Sequence, residues 1–290
     1  MRIIDAQIHD AGPYWDWTGE SDDIQHRIMG EVAIAYLDTL GVDSAVLFPG
    51  WHDPHTDWLC RQLPERFTYV PHVSPDDDVE AVVADAKANP GIAGLRALIG
   101  FPFDGSEVRR LDAGAWNPVF AACESHGVPL FMFISGWLKS ALRVAEGFPG
   151  LKLIVDHMGT RQPPMEVPDD PPFAKLHQLT DLARFPNVNV KLCGLPALSK
   201  EAFPYRDVNP ALREIVDAFG AARLMWASDT TRFRGRIGIG RHQNPDTLKP
   251  YQGKHTYAES LLYIRENPVL SAEEKQAILG GTAARVLDWQ

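Results

Sequence analysis

Eight short apolar runs, at residues 2–8, 44–48, 67–73, 92–99, 129–134, 151–155, 188–192 and 223–227, read as strands. Amphipathic segments separate them, with helices expected at 22–40, 57–63, 76–88, 115–126, 138–146, 173–184 and 210–219. In the first of these, Ile28, Val32, Ala35 and Leu40 fall near a 3.6-residue period and Gly41 closes the pattern. The third opens on acidic residues, which favour a helix N-terminus. Gly-Val or Phe-Pro punctuation precedes several strands, at Gly41-Val42, Gly127-Val128-Pro129, Phe148-Pro149-Gly150 and Phe185-Pro186. The alternation predicts an α/β chain folded as a closed (β/α)8 TIM barrel, a single domain over residues 1–290, with C-terminal helices at 273–279 and 283–287 packed over it.

Composition narrows the function. With 45% hydrophobic and 23% charged residues the 290-residue chain can bury a large core. No apolar stretch reaches the ~20 residues that span a bilayer, and Met1-Arg2 runs straight into strand residues, so a cytoplasmic protein without membrane contact is expected. A formal charge of −10 disfavours nucleic acid. Cys60, Cys123 and Cys193 have no paired spacing, so a disulfide frame is not expected. No glycine-rich phosphate fingerprint opens the first helix. A homodimer is expected only as the commonest assembly.

The chemistry sits where strands end. Asp5, Gln7 and His9 alternate along the first strand and should share a face, placing Gln7 and His9 together at the C-terminal rim. His157 ends the sixth strand, where the same alternation groups it with Leu153 and Val155 and turns Asp156 towards the helices; Asp229 ends the eighth. Arg96 in the fourth strand and Lys191 in the seventh, in phase with Asn189 and Cys193, are candidate cations for polarising a carbonyl. No partner for a Cys193 nucleophile can be assigned. Two long connections follow rim candidates, the proline-rich 158–172 and the arginine-rich 230–255. In the latter Arg232, with Arg234, Arg236 and Arg241, can fork onto a substrate carboxylate. Tyr14, Trp15, Trp17, Trp51, His52 and Trp137 fall in rim loops, with Trp51 and Trp137 as candidate substrate contacts.

The segments Ile4-Asp5-Ala6-Gln7-Ile8-His9, Gly91-Ile92-Ala93-Gly94-Leu95-Arg96, Leu153-Ile154-Val155-Asp156-His157-Met158-Gly159, Met225-Trp226-Ala227-Ser228-Asp229 and Gly280-Gly281-Thr282-Ala283-Ala284-Arg285-Val286-Leu287 occur in the order of the amidohydrolase superfamily. The chain resembles its amidohydrolase-2 branch, which includes sugar lactonases, 2-pyrone-4,6-dicarboxylate lactonase and aminocarboxymuconate-semialdehyde decarboxylase. The resemblance implies a hydrolase in which Asp229 activates water, His157 and His9 assist, and His9, His157 and Asp229 hold one divalent metal, Zn or Mn. The chain departs from the pattern in three places. Gln7 stands for the first histidine of His-x-His, strand five ends in Ser135 rather than a histidine, and Arg96 replaces a lysine that can be carbamylated. A binuclear centre is therefore not expected, and a single metal would be weakly held, because an amide oxygen is a poor Zn²⁺ ligand beside imidazole. Metal-free hydrolysis of a lactone, an activated ester, stays open. The expected substrate is a small, carboxylate-bearing cyclic ester or related carbonyl compound. Decarboxylation of an unsaturated or aromatic acid is the alternative enzymatic reading, and a degenerate barrel that binds a ligand or partner subunit is the non-enzymatic one.

Overall fold

The computed structural model describes residues 1–9, 22–49, 54–161, 166–230 and 255–289. The expected calls on Tyr14, Trp15, Trp17, Trp51, His52, Arg232, Arg234, Arg236 and Arg241 lie outside the described residues. Eight strands follow in order: β1 (Ile4–Ile8), β2 (Ser44–Leu47), β3 (Phe67–Tyr69), β4 (Leu95–Ala97), β5 (Leu130–Met132), β6 (Leu153–Val155), β7 (Val188–Cys193) and β8 (Leu224–Ala227). All pair in parallel, as a run of β1 to β3 and a run of β4 to β8. Isolated parallel bridges join the runs, Tyr69 with Ile92 and His72 with Arg96 on one side and Ile8 with Thr230 on the other. The result is a closed α/β TIM barrel. No helix among the described residues is long and apolar enough to cross a membrane.

Alternation sorts the strand residues into two layers. Leu95, Ala97, Leu130, Met132, Leu153, Val155, Val188, Val190, Leu192, Leu224 and Trp226 belong to the outer core beneath the helices. Ile4, Val46, Phe48, Phe131, Ile154, Cys193 and Met225 form a separate inner cluster with Ala283, Val286 and Leu287. The helix Thr282–Val286 thus closes the barrel at the N-terminal ends of the strands. Gly280 permits this approach, since a Cβ there would lie 2.2 Å from the Arg2 carbonyl oxygen.

Several elements differ from the sequence expectation for local reasons. The segment 173–184 yields only a short helix, Leu176–Thr180, followed by a 3-10 turn, Asp181–Arg184. Unexpected helices include Ser106–Asp112, the single turn Leu195–Leu198 and, last, Tyr257–Arg265. The last starts with a capping box in which Thr256 and Glu259 bond each other's backbone N–H.

In β1 the pairing register with β2 shifts between Asp5 and Ile8, so strict alternation fails there. Ala6 joins the inner apolar cluster while Gln7, next to it, bonds to groups inside the barrel. Asp5 therefore does not accompany Gln7 and His9, as alternation suggested. Its Oδ1 accepts from the Ser228 N–H at 2.9 Å and the Gln7 N–H at 3.2 Å, tying β1 to β8.

Burial pushes the Asp5 carboxyl up from 3.8 to about 6, against the opposing hydrogen bonds from Ser228, Gln7 and Tyr257. The folded chain thus binds this proton more tightly than the unfolded one. The corresponding stabilisation is complete below pH 4 and disappears as pH rises through 6. Urea unfolding of wild type and Asp5→Asn at pH 4 to 7 should show their stability difference drifting by about 2–3 kcal/mol across that window. A constant difference would mean that Asp5 does not titrate there.

Candidate active site

A continuous string of polar side chains crosses the upper barrel, above the apolar inner cluster. Arg96 on β4 pairs through Nε with Asp156 Oδ2 at 2.9 Å, and Lys191 on β7 pairs with Asp156 Oδ1 at 2.8 Å. Lys191 also donates to Gln7 Oε1. The Gln7 amide nitrogen donates to Asp229 Oδ1 at 2.5 Å and lies 3.2 Å from His9 Nε2 and 3.5 Å from His157 Nε2. His9 Nε2 itself stands 2.8 Å from Asp229 Oδ1. Arg96, Asp156, His157, Lys191, Gln7 and Asp229 are all buried.

Aromatic faces line the cations. Lys191 Nζ sits 3.9 Å from the centroid of Phe48 and 4.8 Å from that of Phe131, and the Arg96 guanidinium stacks at 5.0 Å on Phe48 and 5.5 Å on Phe133. Phe133 meets the His157 ring edge-on at 5.8 Å. Burial alone would raise the Asp156 carboxyl, but Lys191 and Arg96 hold it below the ordinary range, so it is the counter-ion of the pair. Burial pushes the Lys191 ammonium down while Asp156 opposes that shift.

The placement of Asp156 overturns the expected one. Strand β6 ends at Val155, and the chain enters a tight turn in which His157 and Met158 take left-handed backbone angles, φ 52° and 57°. Ile154 faces inward, so the next residue in phase is Asp156. The turn then brings His157 to the same interior. Asp229 is also left-handed, at φ 58°, just beyond the end of β8. Such backbone angles are rare outside glycine, and their coincidence at site residues matches strain held by surrounding contacts.

The structure brings Gln7, His9, Arg96, His157, Lys191 and Asp229 together. Trp137 stays apart. It is 42% exposed at the start of the helix Leu138–Gly147, with its ring over Gly105. Asp156 and His72 were missed as site residues. His72 is half-buried beside Arg96, and this partial burial, reinforced by Arg96, pushes its imidazole down to about 4, leaving it neutral near pH 7. The signal available was the one used for His157, a histidine where an apolar strand ends. His72 also lines an open cleft of about 890 Å³ with Phe101, Glu107, Arg110 and Trp116.

His157, Cys193 and Asp229 hold their ligand atoms within 4.8 Å of one another. Imidazole, thiolate and carboxylate are donors that Zn²⁺ accepts, and His9 brings a second imidazole to Asp229. His9 Nδ1 lies 3.0 Å from the Phe48 carbonyl, which can only accept, so Nδ1 carries the proton. His9 Nε2 then meets the Asp229 oxygen across 2.8 Å, a spacing that places a proton or a cation between them. The donor set therefore fits a divalent ion. Burial raises the Cys193 thiol well above its ordinary value, leaving it neutral and a poor nucleophile.

Comparison with known proteins shows the family to which this fold belongs. The chain is 37% identical over 206 residues to 4-sulfomuconolactone hydrolase of Hydrogenophaga intermedia, covering 69% of this chain and 64% of that one. It is 29% identical over 173 residues to L-fucono-1,5-lactonase of Burkholderia ambifaria, covering 56% of this chain and 54% of that one. The matches thus span less than two thirds of the length of these curated relatives. In fold it superposes on a zinc-bound amidohydrolase from Burkholderia multivorans with a TM-score of 0.71 at 19% identity, over 99% of both chains. The amidohydrolase family profile matches residues 52–289, and the chain belongs to that family.

Proposed function

We propose that this protein hydrolyses a small lactone, with Asp229 as the group that activates water. The observation that carries this reading is the buried Asp229 carboxylate at the end of β8, fixed by Gln7 at 2.5 Å and His9 at 2.8 Å. Two curated relatives act on lactones by their names, 4-sulfomuconolactone hydrolase and L-fucono-1,5-lactonase. Asp229 takes a proton from water as its oxygen attacks the lactone carbonyl, and returns it to the ring oxygen that leaves. Arg96, whose Nε is committed to Asp156, turns its remaining guanidinium N–H groups to the oxyanion. His157 and His9 orient Asp229 and the attacking water. His72 stands between Arg96 and the open cleft.

Where a divalent ion is bound, His9, His157, Cys193 and Asp229 would hold it, and it would supply Lewis-acid polarisation of the carbonyl. Arg232 and its neighbouring arginines favour an anionic lactone on sequence grounds. Trp137 remains a substrate contact in this reading only at the outer rim, and Trp51 one on sequence grounds alone.

A panel of carboxylated lactones, their methyl esters and unsaturated or aromatic acids, followed by acid release and by carbon dioxide release, tests the reading. Ring opening of the anionic lactones, slower for the esters, is expected. Carbon dioxide from the acids without lactone opening would replace it with decarboxylation.

On the best lactone, Asp229→Asn should lower kcat by about 10²–10⁴-fold with the chain still folded. Its melting temperature should hold or rise, because a carboxylate kept for chemistry is a local cost to the fold. Near wild-type turnover by the folded variant would remove Asp229 from the mechanism.

Arg96→Met should lower kcat by about 10²–10³-fold, the scale of a lost oxyanion donor. An increase in KM alone, with kcat preserved, would move Arg96 from the oxyanion to ground-state substrate binding.

A further inference from the structure

The amide of Gln7 lies at the focus of the donors that would hold a metal. Its nitrogen is 2.5 Å from Asp229 Oδ1, 3.2 Å from His9 Nε2 and 3.5 Å from His157 Nε2. Which end of an amide points inward is usually an assignment, but here the neighbours decide it. Lys191 touches the other end of the amide, and an ammonium has three N–H donors and no acceptor. The atom against Lys191 must therefore be Oε1. Lys191 in turn is held in place as an ammonium by Asp156 at 2.8 Å and by the faces of Phe48 and Phe131. On the opposite side, the Asp229 carboxylate can only accept, so the amide atom 2.5 Å from it must be the NH₂. Both sides of the amide require the same orientation.

We infer that the Lys191-clamped amide of Gln7 substitutes for the cation in this barrel, its two N–H bonds meeting the acceptors a metal would bind, and so sets the affinity of the centre for divalent ions. An amide nitrogen bearing two protons cannot ligate a metal. To admit one, the amide must either leave or rotate its oxygen inward, which would set its NH₂ against the Lys191 ammonium. The clamp opposes rotation, so it acts against metal binding even though the donors themselves are suitable. Gln7 is on this account a positioning residue: it spaces His9, His157 and Asp229 in place of an ion. The inference concerns ion binding by this chain and stands or falls without reference to the lactone reading.

Zinc binding by the full chain, stripped with chelator and measured by competition with a chromophoric chelator, tests it without substrate. Wild type should bind zinc weakly. Gln7→Ala, which removes the amide, and Lys191→Met, which frees it to rotate, should each tighten zinc by about tenfold or more, since every 1.4 kcal/mol is a factor of ten. Zinc should raise the melting temperature of Gln7→Ala more than that of wild type. Because Lys191→Met leaves Asp156 with Arg96 alone and can fail to fold, Gln7→Ala decides the matter. Weaker zinc binding by Gln7→Ala would show that Gln7 serves as a ligand through its oxygen, and unchanged binding would show that the amide does not compete. Either result overturns the inference, as does wild-type protein that retains one zinc per chain against chelator.

Discussion

The rest of the active centre depends on placing two cations, Arg96 and Lys191, in an apolar barrel with one shared counter-ion, Asp156. Removing Asp156 would leave both cations buried and unpaired, a change that typically costs about 3–5 kcal/mol. Asp156 must therefore face inward, and β6 must end where it does. Once Lys191 is fixed by Asp156 and the two phenylalanine faces, it fixes Gln7, and Gln7 fixes Asp229 and the histidines. Each side chain in the string has its orientation set by the one before it. Asp229, the carboxylate proposed to activate water, is the far end of an electrostatic chain anchored on the opposite side of the barrel.

Holding that string requires departures from regular strand geometry, and these gather at its ends. The register of β1 shifts beside Gln7, while His157 and Asp229 adopt left-handed backbone angles. Each lies at the C-terminal rim, where the strand ladder is finishing and fewer backbone bonds oppose a turn. Below them the inner layer of Ile4, Val46, Phe131, Ile154 and Met225 is plain aliphatic and aromatic packing. The barrel thus divides into a regular lower half that supplies rigidity and an irregular upper edge that aims the functional groups.

The division also explains what could be read from sequence. All eight strands and the barrel closure follow from the alternation of apolar runs, and the candidates read from it, Gln7, His9, His157 and Asp229 near strand ends and Arg96 and Lys191 within strands, are brought together in the structure. Strict alternation misplaced Asp5 and Asp156 because it assumes a strand that neither bulges nor ends, and neither condition holds at those residues. The helix Tyr257–Arg265 carried a readable Thr256-x-x-Glu259 capping box but stood at the edge of a long polar connection, where its start was absorbed into the loop. His72 looked like one more polar residue in a long strand, and only the early end of β3 at Tyr69 puts it at the rim. The orientation of the Gln7 amide was not legible in the sequence either, because it depends on Lys191, which takes the oxygen and leaves the nitrogen towards Asp229.

The bridge between Ile8 and Thr230 makes the first strand the lateral partner of the last. During synthesis β1 leaves the ribosome early and can pair with β2, but its other edge has no match until more than two hundred further residues have been added. Such distant pairings form late, since the loop they close is long and its ordering is slow. Gln7 and His9 therefore wait on one nascent half of the molecule while Asp229 arrives at the end of the other. A truncated or stalled chain would display an open strand edge prone to association, and it would lack an active centre.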